Sequence, residues 1–208
     1  MKKTLTKTLS GFMALALTLV IAGCASGKAG ISPSSACEAF NKYGAMEITE
    51  FDDFTVIFNN RSLEAEGGYF YTSIDEEETE FIAEYIIFRF QDIPDWNYQE
   101  CSYFVATSKE DGSMAGSYIL VFNDEKDAKE VFDYISEDLS YEDNYSSGSK
   151  SGVDYSVCRE EGTKQEIECV YRQGKSVFYL KAFASELDAL KEYDNIIKNM
   201  GLVSPLSK

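Results

Sequence analysis

The chain has no histidine in its 208 residues. That removes Ser-His-Asp and Cys-His nucleophile pairs, histidine general bases and every zinc motif that uses an imidazole. Basic residues are also scarce: 19 Lys and Arg stand against 36 Asp and Glu, a net charge of −17. A nucleic-acid surface needs a basic footprint to meet phosphates, so that class of partner is excluded. The calcium-loop pattern D-x-[DN]-x-[DN]-G is missing, and no internal repeat is visible. No motif asks for a metal or a cofactor. What remains is 44% apolar, with 14 Tyr and 14 Phe. That is enough for a packed core, and the length suits one domain.

The first 24 residues read as an address. Lys2, Lys3 and Lys7 make a basic start, and Gly11 to Ala22 is nearly unbroken apolar sequence. The run has the length of a signal-peptide core and is too short for a spanning helix. It ends in Ile21-Ala22-Gly23-Cys24, which resembles the lipobox of bacterial lipoproteins. The resemblance implies cleavage before Cys24 and a diacylglycerol thioether on its sulfur. Residues 1–23 are then a signal peptide, 24–32 a flexible lipid-anchored tether, and 33–208 a single domain outside the cytoplasmic membrane. Loss of the three lysines takes the charge from −17 to −20, so anionic headgroups repel the body and the lipid alone is expected to hold it. In general layout the globular part resembles small lipoproteins of Gram-positive anaerobes, a likeness that brings no activity with it.

Export puts the other four cysteines where disulfides persist. Four allow three connectivities. Cys158 and Cys169 lie in two strand-like runs, and one antiparallel register sets them directly opposite, within bridging reach. Cys37 and Cys101 would then pair with each other. The competing expectation is four buried free thiols.

Along the mature chain, Ser32-Pro33 opens a helix that Gly44 stops. Residues 45–63 fit a helix or a strand. Tyr69–Ile74 reads as a strand, and Asp75 caps a helix carrying Phe81, Ile82, Tyr85, Ile86 and Arg89, ended by Pro94. A hairpin follows around residues 110–113. A helix with Ala128, Val131, Phe132, Ile135 and Leu139 on one stripe comes next, capped by Asn123 or Asp124. Residues 140–152 read as a polar loop. A three-strand meander spans 153–183, and Ser185 with Asp188 forms a capping box for a last helix closed by Gly201. The order after Gly68, β-α-β-β-α-β-β-β-α, begins like a split βαβ unit extended by the meander and helix. The expected class is α+β, a mainly antiparallel sheet with helices on one face.

Chemistry is sparse. Ser147 to Lys150 spells S-x-x-K and Lys150 to Gly152 spells K-S-G, but one lysine would have to serve both motifs, from a loop. Gly23 to Lys28 is a broken phosphate-loop pattern inside the tether. Asp75 to Glu80 is better explained as a solvated helix start than as a cation site. Among 36 acids a carboxylate pair for glycoside hydrolysis can always be drawn, so the sequence assigns no catalytic residue. The aromatics outside the periodic faces are Trp96, Tyr98, Tyr141, Tyr145 and Tyr155, set among small polar residues like a recognition surface. Their alternative role is loop anchoring. The expectation is a lipid-anchored binding domain for a protein, peptide or glycan. The alternatives are a carboxylate-based envelope hydrolase and a structural or regulatory subunit of an envelope complex.

Overall fold

The structure, a computed structural model, describes residues 31–60, 67–87, 96–108, 112–142, 144–161 and 165–207. Helix α1 (Pro33–Tyr43) starts where Ser32 accepts a hydrogen bond from the Ser35 amide, and it stops at Gly44 in the left-handed region. A two-residue strand β1 (Met46–Glu47) and helix α2 (Phe51–Asn60) settle the stretch that the sequence left open. Strand β2 (Tyr69–Ser73) leads to a short helix α3 (Glu76–Glu80), capped by Asp75, which widens into a π-helical segment, Phe81–Ile87. Arg89 and Pro94 lie outside the described residues. Strands β3 (Tyr98–Thr107) and β4 (Met114–Phe122) precede helix α4 (Glu125–Leu139), whose cap is Asp124. Strands β5 (Ser146–Lys150), β6 (Val153–Glu161), β7 (Gln165–Gln173) and β8 (Ser176–Ala184) run into helix α5 (Leu187–Asn199).

The eight strands form one sheet in the order β1-β2-β3-β4-β8-β7-β6-β5. The class is α+β, and only β1 and β2 run parallel. Two features differ from the expected arrangement. The helices cover both faces of the sheet. Ala36 and Phe40 of α1 and Leu190, Tyr193, Ile196 and Ile197 of α5 pack on Phe104, Ile119, Cys169 and Phe178. Phe54 of α2, Ile82 of the π segment and Val131, Ile135 and Leu139 of α4 pack on Cys101, Leu120, Val170 and Val177. The cause is legible in β4: Tyr118 to Phe122 is apolar at odd and even positions, the pattern of a strand buried on both sides. The second difference is that β2 and β3 are adjacent and antiparallel. The connection through α3 therefore returns rather than crosses over, and no split βαβ unit forms.

Two smaller corrections concern polar residues. Residues 146–150 are an edge strand, fully exposed and paired only to β6. The cap of α5 is Glu186 rather than Ser185, with no side-chain capping bond. At the other end of the domain Ile31 is 5% exposed and belongs to the core, with its amide donating to Gln173 Oε1 at 3.0 Å. Ile31 and Ser32 therefore belong to the folded domain, ahead of the expected boundary at Pro33.

Neither expected disulfide is formed in this fold. In the β6–β7 ladder Val157 stands opposite Cys169, and Cys158 stands opposite Glu168. The register is one residue away from the bridging one. Alternation along a strand then sends Cys169 to the α1–α5 face and Cys158 to the α4 face. Cys37 on α1 and Cys101 on β3 are likewise separated by the sheet, and all four thiols are free.

Candidate functional site

A concavity lies between α1 and α5, above the ends of β2 and β3. It is a cleft of about 460 Å³, within the ~300–1,000 Å³ range of small-molecule sites. Its walls come from helices more than 140 residues apart in sequence. From α1 come Ala39, Lys42 and Tyr43, and from α5 come Glu192, Asn195, Ile196 and Asn199. Thr107 and Ser108, at the end of β3, and Gly67 close the remaining side.

Local backbone rules place each part. The α1 stop at Gly44 sits directly on Gly67, where an added Cβ would lie 2.4 Å from the Gly44 carbonyl oxygen. Only glycine permits that approach, and Gly67 also takes a φ of 89°. The Gly67 amide then donates to the Thr107 carbonyl at 3.1 Å, tying the cleft wall to β3. Tyr43 packs on the buried Tyr193 with ring centroids 5.5 Å apart, and Tyr193 shares a 2.8 Å hydroxyl–hydroxyl hydrogen bond with Ser113. Asn195 and Asn199 are exposed one turn apart on α5, beside the buried Ile196. Lys42 pairs with Glu38 at 2.8 Å, and this hydrogen bond and charge hold the Glu38 carboxyl below its ordinary value. Glu192 is the carboxylate of the cleft. Among the described residues the site thus offers two carboxamides, hydroxyls, one ammonium, one carboxylate and a braced aromatic ring.

The aromatic residues singled out in the sequence are not brought together. Trp96 and Tyr98 pack on the α4 face of the core, Tyr98 against Phe122 at 5.3 Å, so both serve as anchors. Tyr145 sits between α4 and β6, its hydroxyl 3.3 Å from Ser136 Oγ and 3.2 Å from Ser156 Oγ. Burial alone would raise the Tyr145 phenol. Hydrogen bonds from Ser136, Ser147 and Ser156 more than offset it, and its pKa lies below the ordinary value. Tyr155 faces the opposite side of the sheet, covering Gly148 across the β5–β6 ladder. Tyr141, 80% exposed, alone of the five stands open to solvent. Cys24 lies outside the described residues.

Catalytic alternatives fare no better. Ser147 and Lys150 lie on the edge strand β5, without the helix start that an S-x-x-K serine needs. A close carboxylate pair does exist: Glu166 and Glu168 of β7 each lie 2.7 Å from Lys181 Nζ. Burial works against the Lys181 charge, but hydrogen bonds to the two carboxylates outweigh it and raise the lysine pKa. Tyr179 adds a 2.5 Å hydrogen bond to Glu168. Two carboxylates fixed on one ammonium make a structural ion triad. No group of three or more metal-ligating side chains is assembled among the described residues. The exposed large apolar side chains, Met46, Val56, Ile74, Tyr134 and Tyr141, are spread along the chain rather than gathered on one element.

Sequence reasoning missed the cleft because its two walls meet only in three dimensions. The available signal was the pair Asn195 and Asn199, at i and i+4 beside the apolar stripe of α5.

No family model matches the chain, and no curated protein matches it. Among solved structures, the extracellular domain of PknH from Mycobacterium tuberculosis is similar at a TM-score of 0.40 and 11% identity, over 64% of this chain and 82% of that one.

Proposed function

We propose that this is a lipid-anchored domain on the outer side of a bacterial cytoplasmic membrane that binds a small polar ligand in the α1–α5 cleft. The cleft carries the reading: it is of ligand size and brings hydrogen-bonding groups together from α1, α5 and the end of β3. Location is supported by the basic start, the apolar run and the lipobox-like Ile21 to Cys24.

Geometry adds support. The chain enters the domain at Ile31, beside Gln173 and the β7–β8 turn. Thr107 and Ser108 lie at the opposite end of the sheet, where Thr107 pairs with Met114 and Met114 with Phe183. Strands of this length separate the two ends by about 25 Å. With six residues between Cys24 and Ile31, an anchored domain presents the turn end to the membrane and the cleft end away from it.

Two measurements test the reading. Fatty-acid labelling of cells should mark the wild-type chain and not Cys24→Ser; equal label on both overturns the anchor. Native mass spectrometry of the purified chain should recover a small molecule that Asn195→Trp, which fills the cleft, does not retain. Identical retention by the two overturns the cleft as the ligand site.

A further inference from the structure

We infer that the ligand of the α1–α5 cleft is an uncharged saccharide, an inference that rests on the reading of the cleft as the ligand site. Sugar hydroxyls both donate and accept, so a site for them must offer both capacities at close spacing. Asn195 and Asn199 do so through their carboxamides, each with two donors and one acceptor oxygen. Ser108 adds a hydroxyl that works in either sense.

The charges of the described lining residues argue against the ionic alternatives. An anion would find Lys42 as the one cation among the described lining residues, its charge shared with Glu38 at 2.8 Å. It would also meet the field of a body carrying 36 acids against 19 bases. A basic peptide needs several converging carboxylates, and among the described residues lining the cleft Glu192 is the one carboxylate. A peptide added as a strand needs a free sheet edge, whereas the cleft is walled by two helices and the closed end of a hairpin. Apolar contact is limited to the small floor of Ala39 and Ile196 and to the ring of Tyr43, which Tyr193 holds in place. One braced ring beside carboxamides matches a pyranose, whose C–H face stacks while its hydroxyls reach sideways.

The test uses the full chain in detergent micelles, with the carboxamide NMR signals of Asn195 and Asn199 as reporters. Cellotriose, chitotriose and maltotriose are titrated first, then trilysine and citrate. At least one neutral sugar should shift both carboxamides. Asn199→Ala, an exposed change that leaves the core intact, should weaken that sugar about five- to tenfold. Tyr43→Phe should retain binding, and Tyr43→Ala, checked first for folding, should lose it. Shifts with trilysine or citrate but with none of the sugars would overturn the saccharide class and leave the cleft as a ligand site. No shift with any sugar, or sugar-induced shifts confined to residues outside the cleft, would overturn the inference, while the mass-spectrometric comparison of Asn195→Trp continues to judge the cleft itself.

Discussion

Val157 faces Cys169 across the β6–β7 ladder, and this pairing sets the chemistry of both thiols in the hairpin. Cys169 points to the α1–α5 layer, where its Sγ donates to the Leu180 carbonyl at 3.4 Å. Cys158 points to the α4 layer, where burial, with Glu168 and Glu142 adding repulsion, pushes its thiol up to about 12. A thiol so shifted is almost entirely protonated at neutral pH and is a poor nucleophile. The folded, unreduced protein should therefore take up iodoacetamide first at the half-buried Cys37. Cys101, Cys158 and Cys169 should follow only after denaturation, each reaching full alkylation without reductant. A mass spectrum showing a protected cysteine pair in the denatured, unreduced chain would contradict this register.

Glu100 offers a pH test. Burial raises its carboxyl above the ordinary 4.5. A raised folded pKa means the native state holds the proton more tightly than the unfolded chain does. Its contribution is thus complete below about pH 4.5 and is lost as pH rises through the folded value. Glu100→Gln should raise the Tm at pH 7 by about 1–2 °C, allowing for partial exposure, and the difference should vanish below pH 4. Thermal melts from pH 3 to pH 8 would show it.

Tyr98 carries a buried hydroxyl that has no hydrogen-bond partner among the described residues. Burial of that group, with repulsion from Cys101, Glu84 and Asp127, raises its pKa. Removing the oxygen relieves a desolvated polar group and leaves the ring on Phe122. Tyr98→Phe is expected to be neutral or to stabilise by up to about 1 kcal/mol, read from urea unfolding. Trp96→Ala, by contrast, removes a ring from the α4 face and should cost roughly 2–3 kcal/mol.

Gly68 is the most constrained glycine of the sheet. Its φ is 92°, and an added Cβ would fall 1.9 Å from the Val105 carbonyl oxygen. Val105 cannot retreat, because it is paired in the β2–β3 ladder. Gly68→Ala should cost about 3 kcal/mol or more. Gly112→Ala provides the control: its φ is also positive, at 68°, but no described residue lies within 4 Å of the added carbon. It should cost about 1 kcal/mol.

Local signals carried most of the element positions. Ser32 and Gly44 bracket α1, Asp124 starts α4, and the stripe of Val131, Ile135 and Leu139 is its buried face. Residues whose state depends on a partner were not legible. Ser146 to Lys150 has neither alternation nor branched side chains, and it is a strand because β6 offers it a ladder. The hairpin register turned on a single residue, which hydrophobic alternation does not resolve when both faces are buried. Element order alone did not distinguish a return from a crossover between β2 and β3. The cleft combines both problems, since Tyr43 and Asn195 become neighbours only after α1 and α5 dock on the same side of the sheet.

The β4–β8 ladder is the seam of the molecule. It joins residues 55 to 69 positions apart, from Val121 with Ser176 to Met114 with Phe183. The β3–β4 hairpin on one side and the β6–β7–β8 meander on the other close over much shorter loops. Loop-closure entropy therefore favours two separately assembling halves, with their zippering along β4 and β8 as the late, rate-setting event. Until that event, Leu120 and Val177, which face α4, and Ile119 and Phe178, which face α1 and α5, lie on strand edges that have no partner. A chain that pauses there leaves one edge each of β4 and β8 open, and it is at this stage, rather than in the finished fold, that it is most exposed to aggregation.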